Sequence, residues 1–261
     1  MNPILQELQN KQWVWTGANA KHTTPHQKLS TGFANLDAQL AGGFPRAGMI
    51  HINSILGCGE IRLMLSLFAR HSQQQKLYVF IDAPFNVNAE FLAAHNIPLS
   101  QVIVIETTTH NHAIHVHAQP KGKINNTDAL WSAEQCLKSG ACEAVFIWQH
   151  KLSHNHIKKL ELAAQHGASY CVWLQCHNGQ AIGNTPTQHG NLPLSLSLSL
   201  NREKHDIHIT INKQKVGWAH KSIRIPLPFK SQMNKRLGQY HSALNTHNVV
   251  AIHANNTLPL R

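Results

Sequence analysis

Residues 54–61 read Ser54-Ile55-Leu56-Gly57-Cys58-Gly59-Glu60-Ile61. They follow a short apolar run and precede a helical pattern. A strand, a glycine-bearing turn and a helix start are the setting in which backbone N–H groups cradle phosphate. A GxxxxGK[ST] loop laid over these residues matches at Gly59. Its first glycine is replaced by Ser54, its lysine by Glu60 and its hydroxyl by Ile61. The lysine of a working loop is a point charge on the β- and γ-phosphates, and the hydroxyl ligates magnesium. Glu60 turns that attraction into repulsion. Two unit charges ~4 Å apart interact by about 4 kcal/mol at an effective dielectric of 20, so the sign matters. An isoleucine cannot ligate a metal. A carboxylate at a helix N-terminus is also favoured by the helix dipole, by roughly 0.3–1 kcal/mol. Once no phosphate is bound an acidic residue can occupy the vacated anion site, so the loop reads as a structural remnant, the other reading being an unusual nucleotide site. Ser54, Gly57, Gly59, Glu60 and Ile61 read as a degenerate phosphate loop with no cofactor and no catalytic residue.

Two other sets of residues invite chemistry. The five cysteines, Cys58, Cys136, Cys142, Cys171 and Cys176, are odd in number and never spaced CxxC. Reduced thiols packed as small hydrophobes in a reducing compartment are expected. His110, His112, His115 and His117 lie in a polar stretch, residues 107–126, without acidic or cysteine companions. Their irregular spacing predicts a solvated loop and no metal site.

The elements that must position the loop follow from periodicity. Near-continuous apolar runs at residues 49–53, 77–81, 102–105, 144–148 and 170–174 read as strands covered on both faces. Amphipathic segments lie between them. Residues 61–72 carry Leu63, Leu67 and Phe68 at helical spacing. Residues 128–139 end at Gly140, and residues 155–166 are capped by Ser153 and ended by Gly167. Strand–helix alternation predicts right-handed βαβ units and a mostly parallel sheet flanked by helices. The pattern then changes. Leu194-Ser195-Leu196-Ser197-Leu198-Ser199-Leu200 and residues 207–211 alternate with period two about a turn-prone 201–204. They read as an antiparallel hairpin near the C-terminal end, with a further strand within 218–225.

The chain has 261 residues, 42 % of them apolar, enough for one large α/β domain. No stretch approaches the ~18–20 apolar residues needed to span a bilayer, and no secretory signal begins the sequence. A cytoplasmic location without membrane contact is the expectation. Net charge is +11. From residue 201 onward ten Lys or Arg stand against Glu203 and Asp206, so the excess lies mainly in the last quarter. That favours an anionic partner, DNA or an acidic protein face. Candidate contacts are Arg202, Lys204, Lys213, Lys215, Lys221, Arg224, Lys235 and Arg236. Three regions result: an N-terminal helix and linker at 1–28, the core at 29–225, and a basic flexible tail at 226–261. Trp13 and Trp15 in the first region either pack onto the core or anchor a partner.

Several blocks carry a resemblance. Ser30-Thr31-Gly32-Phe33, Leu36-Asp37, Gly42-Gly43 and Pro45-Arg46 are similar to the opening of a RecA-like core. Gly57-Cys58-Gly59-Glu60-Ile61-Arg62-Leu63 and residues 129–142 resemble two blocks of the ImuA branch of the RecA superfamily, often labelled SulA-like. The likeness covers roughly residues 29–225. It implies a RecA-like fold in which Pro84 replaces the catalytic glutamate, Trp148 or Gln149 replaces the magnesium-associated aspartate, and Gln175 matches the nucleotide-sensing glutamine. It further implies a non-catalytic accessory protein of SOS-induced translesion DNA synthesis. Its partners would be an ImuB-like polymerase homologue and RecA, with DNA touched through the basic C-terminal region. The rival readings are a SulA-type inhibitor binding the division protein FtsZ, an active DNA-dependent ATPase, and a simple DNA-binding module.

Overall fold

A computed structural model describes residues 28–69, 75–107, 127–177, 192–203, 206–215, 221–226 and 251–253. Among these residues nine strands form one sheet: β1 (Gly48–Ile55), β2 (Leu77–Ile81), β3 (Val102–Glu106), β4 (Cys142–Trp148), β5 (Tyr170–His177), β6 (Leu196–Glu203), β7 (Asp206–Gln214), β8 (Lys221–Pro226) and β9 (Ala251–His253). Their order is β8-β7-β6-β1-β5-β4-β2-β3-β9. The strands from β6 to β9 in that order run parallel. β6, β7 and β8 pair antiparallel. The protein is thus α/β, with a mostly parallel sheet and antiparallel strands on its C-terminal side.

Helices cover both faces. One layer holds α1 (Ala34–Gln39), α2 (Glu60–Leu63), α3 (Leu65–Ala69) and α4 (Ala89–Ala94); the other holds α5 (Thr127–Lys138) and α6 (His154–His166). Strand residues alternate between two cores. Ala144 and Phe146 pack with Leu36, Leu63 and Leu67. Val145 and Ile147 pack with Leu130, Leu137 and Leu160. That double burial is why these strands read as unbroken apolar runs. No described helix is long and apolar enough to cross a membrane.

The five sequence-predicted strands of the parallel half are present, each within a residue or a few of the expected bounds. Ser153 caps α6, its hydroxyl accepting from His156 N–H at 3.2 Å. Gly140 follows α5 with a left-handed φ of 70°. Gly167 serves differently. Its φ is −82°, open to any residue, but a Cβ there would lie 1.9 Å from the Leu137 carbonyl. It is small because the end of α6 meets the end of α5.

Other expectations need correction. The helix expected at 61–72 is two short pieces, broken at Met64. The turn expected at 201–204 does not include residues 201–203. Asn201↔His208, Arg202↔Ile207 and Glu203↔Asp206 remain paired, so ladder hydrogen bonds override the turn propensity of those residues. The alternating leucines and serines are largely covered: β6 lies inside the sheet beside β1, with Ser195 and Ser197 buried and Ser199 half-buried. The tail expected at 226–261 touches the sheet at 251–253, parallel to β3. The helix expected within 1–28 and the histidine-rich stretch at 108–126 lie outside the described residues.

Candidate functional site

β1 delivers residues 56–61 to the C-terminal ends of the parallel strands, and Gly57 and Gly59 turn the chain there with φ of 77° and 109°. Those left-handed residues aim the Gly57 and Gly59 N–H groups at one point, an arrangement suited to an anion, while the Cys58 N–H turns back to Ile55 O. The anion present is the protein's own. Glu60 is 6 % exposed, and its side chain folds back over the loop. Oε1 accepts from Gly57 N–H at 3.1 Å and Oε2 from Gly59 N–H at 2.9 Å. Both carboxylate oxygens therefore hold charge-assisted bonds. An entering phosphate would have to break these bonds and face the carboxylate's charge.

The floor of the loop is apolar and neutral. Ser54, at the first-glycine position, is fully buried in β1, with Oγ 3.7 Å from Cys176 Sγ. Burial, aided by the nearby Glu60 carboxylate, pushes the Cys58 and Cys176 thiols each up to about 12. Both stay protonated at neutral pH, which suits neither a nucleophile nor a metal ligand. Among the described residues no group of three His, Cys, Asp or Glu is placed to hold a metal.

The strand ends beside the loop carry no carboxylate aimed at it. Asp82, with a left-handed φ of 51°, turns to β3 and accepts from Thr107 N–H and Oγ1, both at 2.8 Å. Pro84 follows it on the rim. Gln149 is buried, and its carbonyl accepts from Trp173 Nε1 at 2.8 Å. Gln175 is paired in register with Asn53, while Cys176 is paired with Ser54 beneath the loop. Side chains alternate along a strand, so Gln175 faces the other side of the sheet. There its Oε1 meets His51 Nε2 at 3.0 Å and its Nε2 donates to His150 O at 2.8 Å. The glutamine that matches the nucleotide sensor in sequence does not meet Glu60 in space.

Beside Glu60 opens a cavity of about 170 Å³. Leu56, Ile61, Phe80, Phe91 and Trp148 are among its walls, and Phe85, 60 % exposed, stands at its rim. Helix α4 supplies Phe91, and Asn88 Oδ1 caps that helix by accepting Phe91 N–H at 2.7 Å. Sequence reasoning missed this cavity because its walls come from three separate segments, within 56–61, within 80–92 and at Trp148. The cap of α4, Asn88 before Ala-Glu-Phe-Leu-Ala-Ala, was a readable signal.

The predicted basic contacts separate. Lys215 reaches the Glu161 carboxylate at 2.8 Å, and the Lys213 ammonium donates to Leu192 O. Arg224 pairs with Glu203 at 3.2 Å on an exposed surface. Arg202 and Lys221 are exposed. Lys204, Lys235 and Arg236 lie outside the described residues. Lys215, Lys213 and Arg224 are thus engaged within the fold instead of forming one uncommitted stripe. Glu161 is the unforeseen member. It is buried on α6 and also accepts from Ser195 Oγ at 2.7 Å, Gln165 Nε2 at 2.6 Å and the Met49 N–H. A lone acid between Leu160 and Ala163 on an apolar helix face was its only trace in the sequence.

No protein-family model matches the chain, and no curated protein matches it. Among solved structures, the crystal structure of SulA from Pseudomonas aeruginosa is similar at 19 % identity and a TM-score of 0.36. The match covers 49 % of this chain and 98 % of that one.

Proposed function

We propose that this protein is a non-catalytic RecA-like accessory factor of SOS-induced translesion DNA synthesis, acting by binding an ImuB-like polymerase homologue and RecA. The observation that carries the non-catalytic part is the Glu60 carboxylate bound to the N–H groups of Gly57 and Gly59. Phosphoryl transfer needs a cation on the phosphates, a metal ligand and a group that orients the nucleophile. On the sequence resemblance, Glu60, Ile61, Pro84 and Trp148 or Gln149 take those places, and none of them supplies such a group. The choice of pathway and partners rests on the sequence resemblance at residues 57–63 and 129–142. The basic residues from 202 onward add contacts to acidic protein or DNA, among them the exposed Lys221 and the region 227–261.

Two measurements test this reading. Equilibrium binding of ATP–Mg²⁺ is expected to be undetectable, and single-stranded DNA is expected to stimulate no hydrolysis. Turnover that disappears in Glu60→Ala would overturn the non-catalytic reading. Affinity capture from damaged cells is expected to recover the polymerase homologue and RecA, and to weaken on deletion of 227–261. Capture of FtsZ in their place would assign the SulA-type role.

A further inference from the structure

The cavity beside Glu60 has a distinct chemical character. Its walls are mostly apolar, and Phe80, Phe85, Phe91 and Trp148 give it four aromatic side chains. Glu60 is the one charged group among the lining residues, and no Lys, Arg or His joins it. Each carboxylate oxygen carries one loop N–H bond and the Cys58 thiol also donates to the carboxylate, which leaves an acceptor site for a guest. The space thus rejects anions and attracts a cation that tolerates desolvation.

We infer that this cavity receives an arginine side chain presented by a partner protein. A guanidinium is planar, weakly hydrated, stacks on aromatic rings and grips carboxylates. An apolar cavity of roughly 150 Å³ holds a benzene ring, so about 170 Å³ suits the flat end of an arginine. The fold already contains such a contact: the Arg62 guanidinium lies 6.0 Å over the Phe91 ring. Two features favour a peptide over a free small cation. Phe85 at the rim offers an exposed apolar platform for residues flanking the arginine. Trp148, a wall residue, has a buried indole N–H with no partner among the described residues, and a main-chain carbonyl arriving with the side chain would satisfy it.

The inference deepens the partner-binding reading of the same loop and rests on it. Model compounds make the two separable, because they need neither the polymerase homologue nor RecA. The probe is N-acetyl-arginine N-methylamide, titrated against the full-length protein while the Gly57 and Gly59 amide resonances are followed. Saturable shifts are expected. The citrulline analogue, uncharged and of the same shape, is expected to bind roughly tenfold more weakly, and the glutamate analogue not at all. Ethylguanidinium, lacking the main chain, is expected to bind more weakly than the arginine compound. Glu60→Gln should erase the arginine–citrulline difference, and Phe85→Ala, at an exposed position, should weaken the arginine compound alone among the guanidiniums. Equal binding of arginine and citrulline compounds, or a preference unchanged in Glu60→Gln, would overturn the proposal. Ethylguanidinium binding as tightly as the arginine compound would overturn the peptide source. ATP binding at the loop would instead remove the underlying reading.

Discussion

Two buried carboxylates organise opposite ends of β1, and they do so by different routes. Glu60 takes its donors from within its own loop, one and three residues away. Glu161 collects donors from β1, from α6, from Ser195 just before β6 and from Lys215 beyond β7. Both obey the rule that a buried charge must be hydrogen-bonded. The difference lies in what each holds together. Glu60 closes a local turn and shapes a cavity wall. Glu161 ties the antiparallel strands to the parallel half. A local acid of this kind is free to serve recognition, because the fold does not hang on it. A long-range acid is tied to stability.

Removing each acid tests the contrast. Glu161→Ala leaves the buried Ser195 hydroxyl and the Met49 N–H without their acceptor, at about 1–3 kcal/mol each, while Lys215, 54 % exposed, returns to water. Urea denaturation is expected to show a loss of that order, with weakened amide protection along β6 and β7. A loss below about 1 kcal/mol would mean that the hub is not what joins the two halves. Glu60→Ala should cost less, about 1–3 kcal/mol for two exposed-side loop donors left without a charged partner. Faster hydrogen exchange should then be confined to Gly57 and Gly59. A global loss equal to that of Glu161→Ala would erase the distinction. The smallest effect belongs to Arg224 and Glu203, 67 % and 52 % exposed, where a double-mutant cycle should return less than about 1 kcal/mol.

The parts of the fold legible beforehand were those governed by neighbours in sequence. The runs at 77–81 and 170–174 were readable because burial on both faces removes the polar alternation. Ser153 was readable as a cap because its hydroxyl meets an N–H three residues on. The degenerate loop was readable because the chemistry at 54–61 is contiguous. Other features depended on distant pairing. Nothing in Leu-Ser-Leu-Ser announces that β6 lies parallel to β1, with His51 Nδ1 meeting Ser197 Oγ at 3.0 Å. The basic residues were readable as charges, but not as partners of Glu161, Leu192 O and Glu203. Gln175 was readable as a match to a nucleotide sensor, yet strand alternation turns it to the far face.

By itself the sequence determined the α/β character, the strands β1 to β5 and the acidic residue within 54–61. These depend on side-chain type and on spacings of a few residues, which a linear chain carries openly. Tertiary structure alone decided the strand order, the burial of Ser195 and Ser197, the hub at Glu161 and the cavity beside Glu60. Each of these joins segments tens of residues apart, and their proximity is settled by packing and pairing, which leave no local mark.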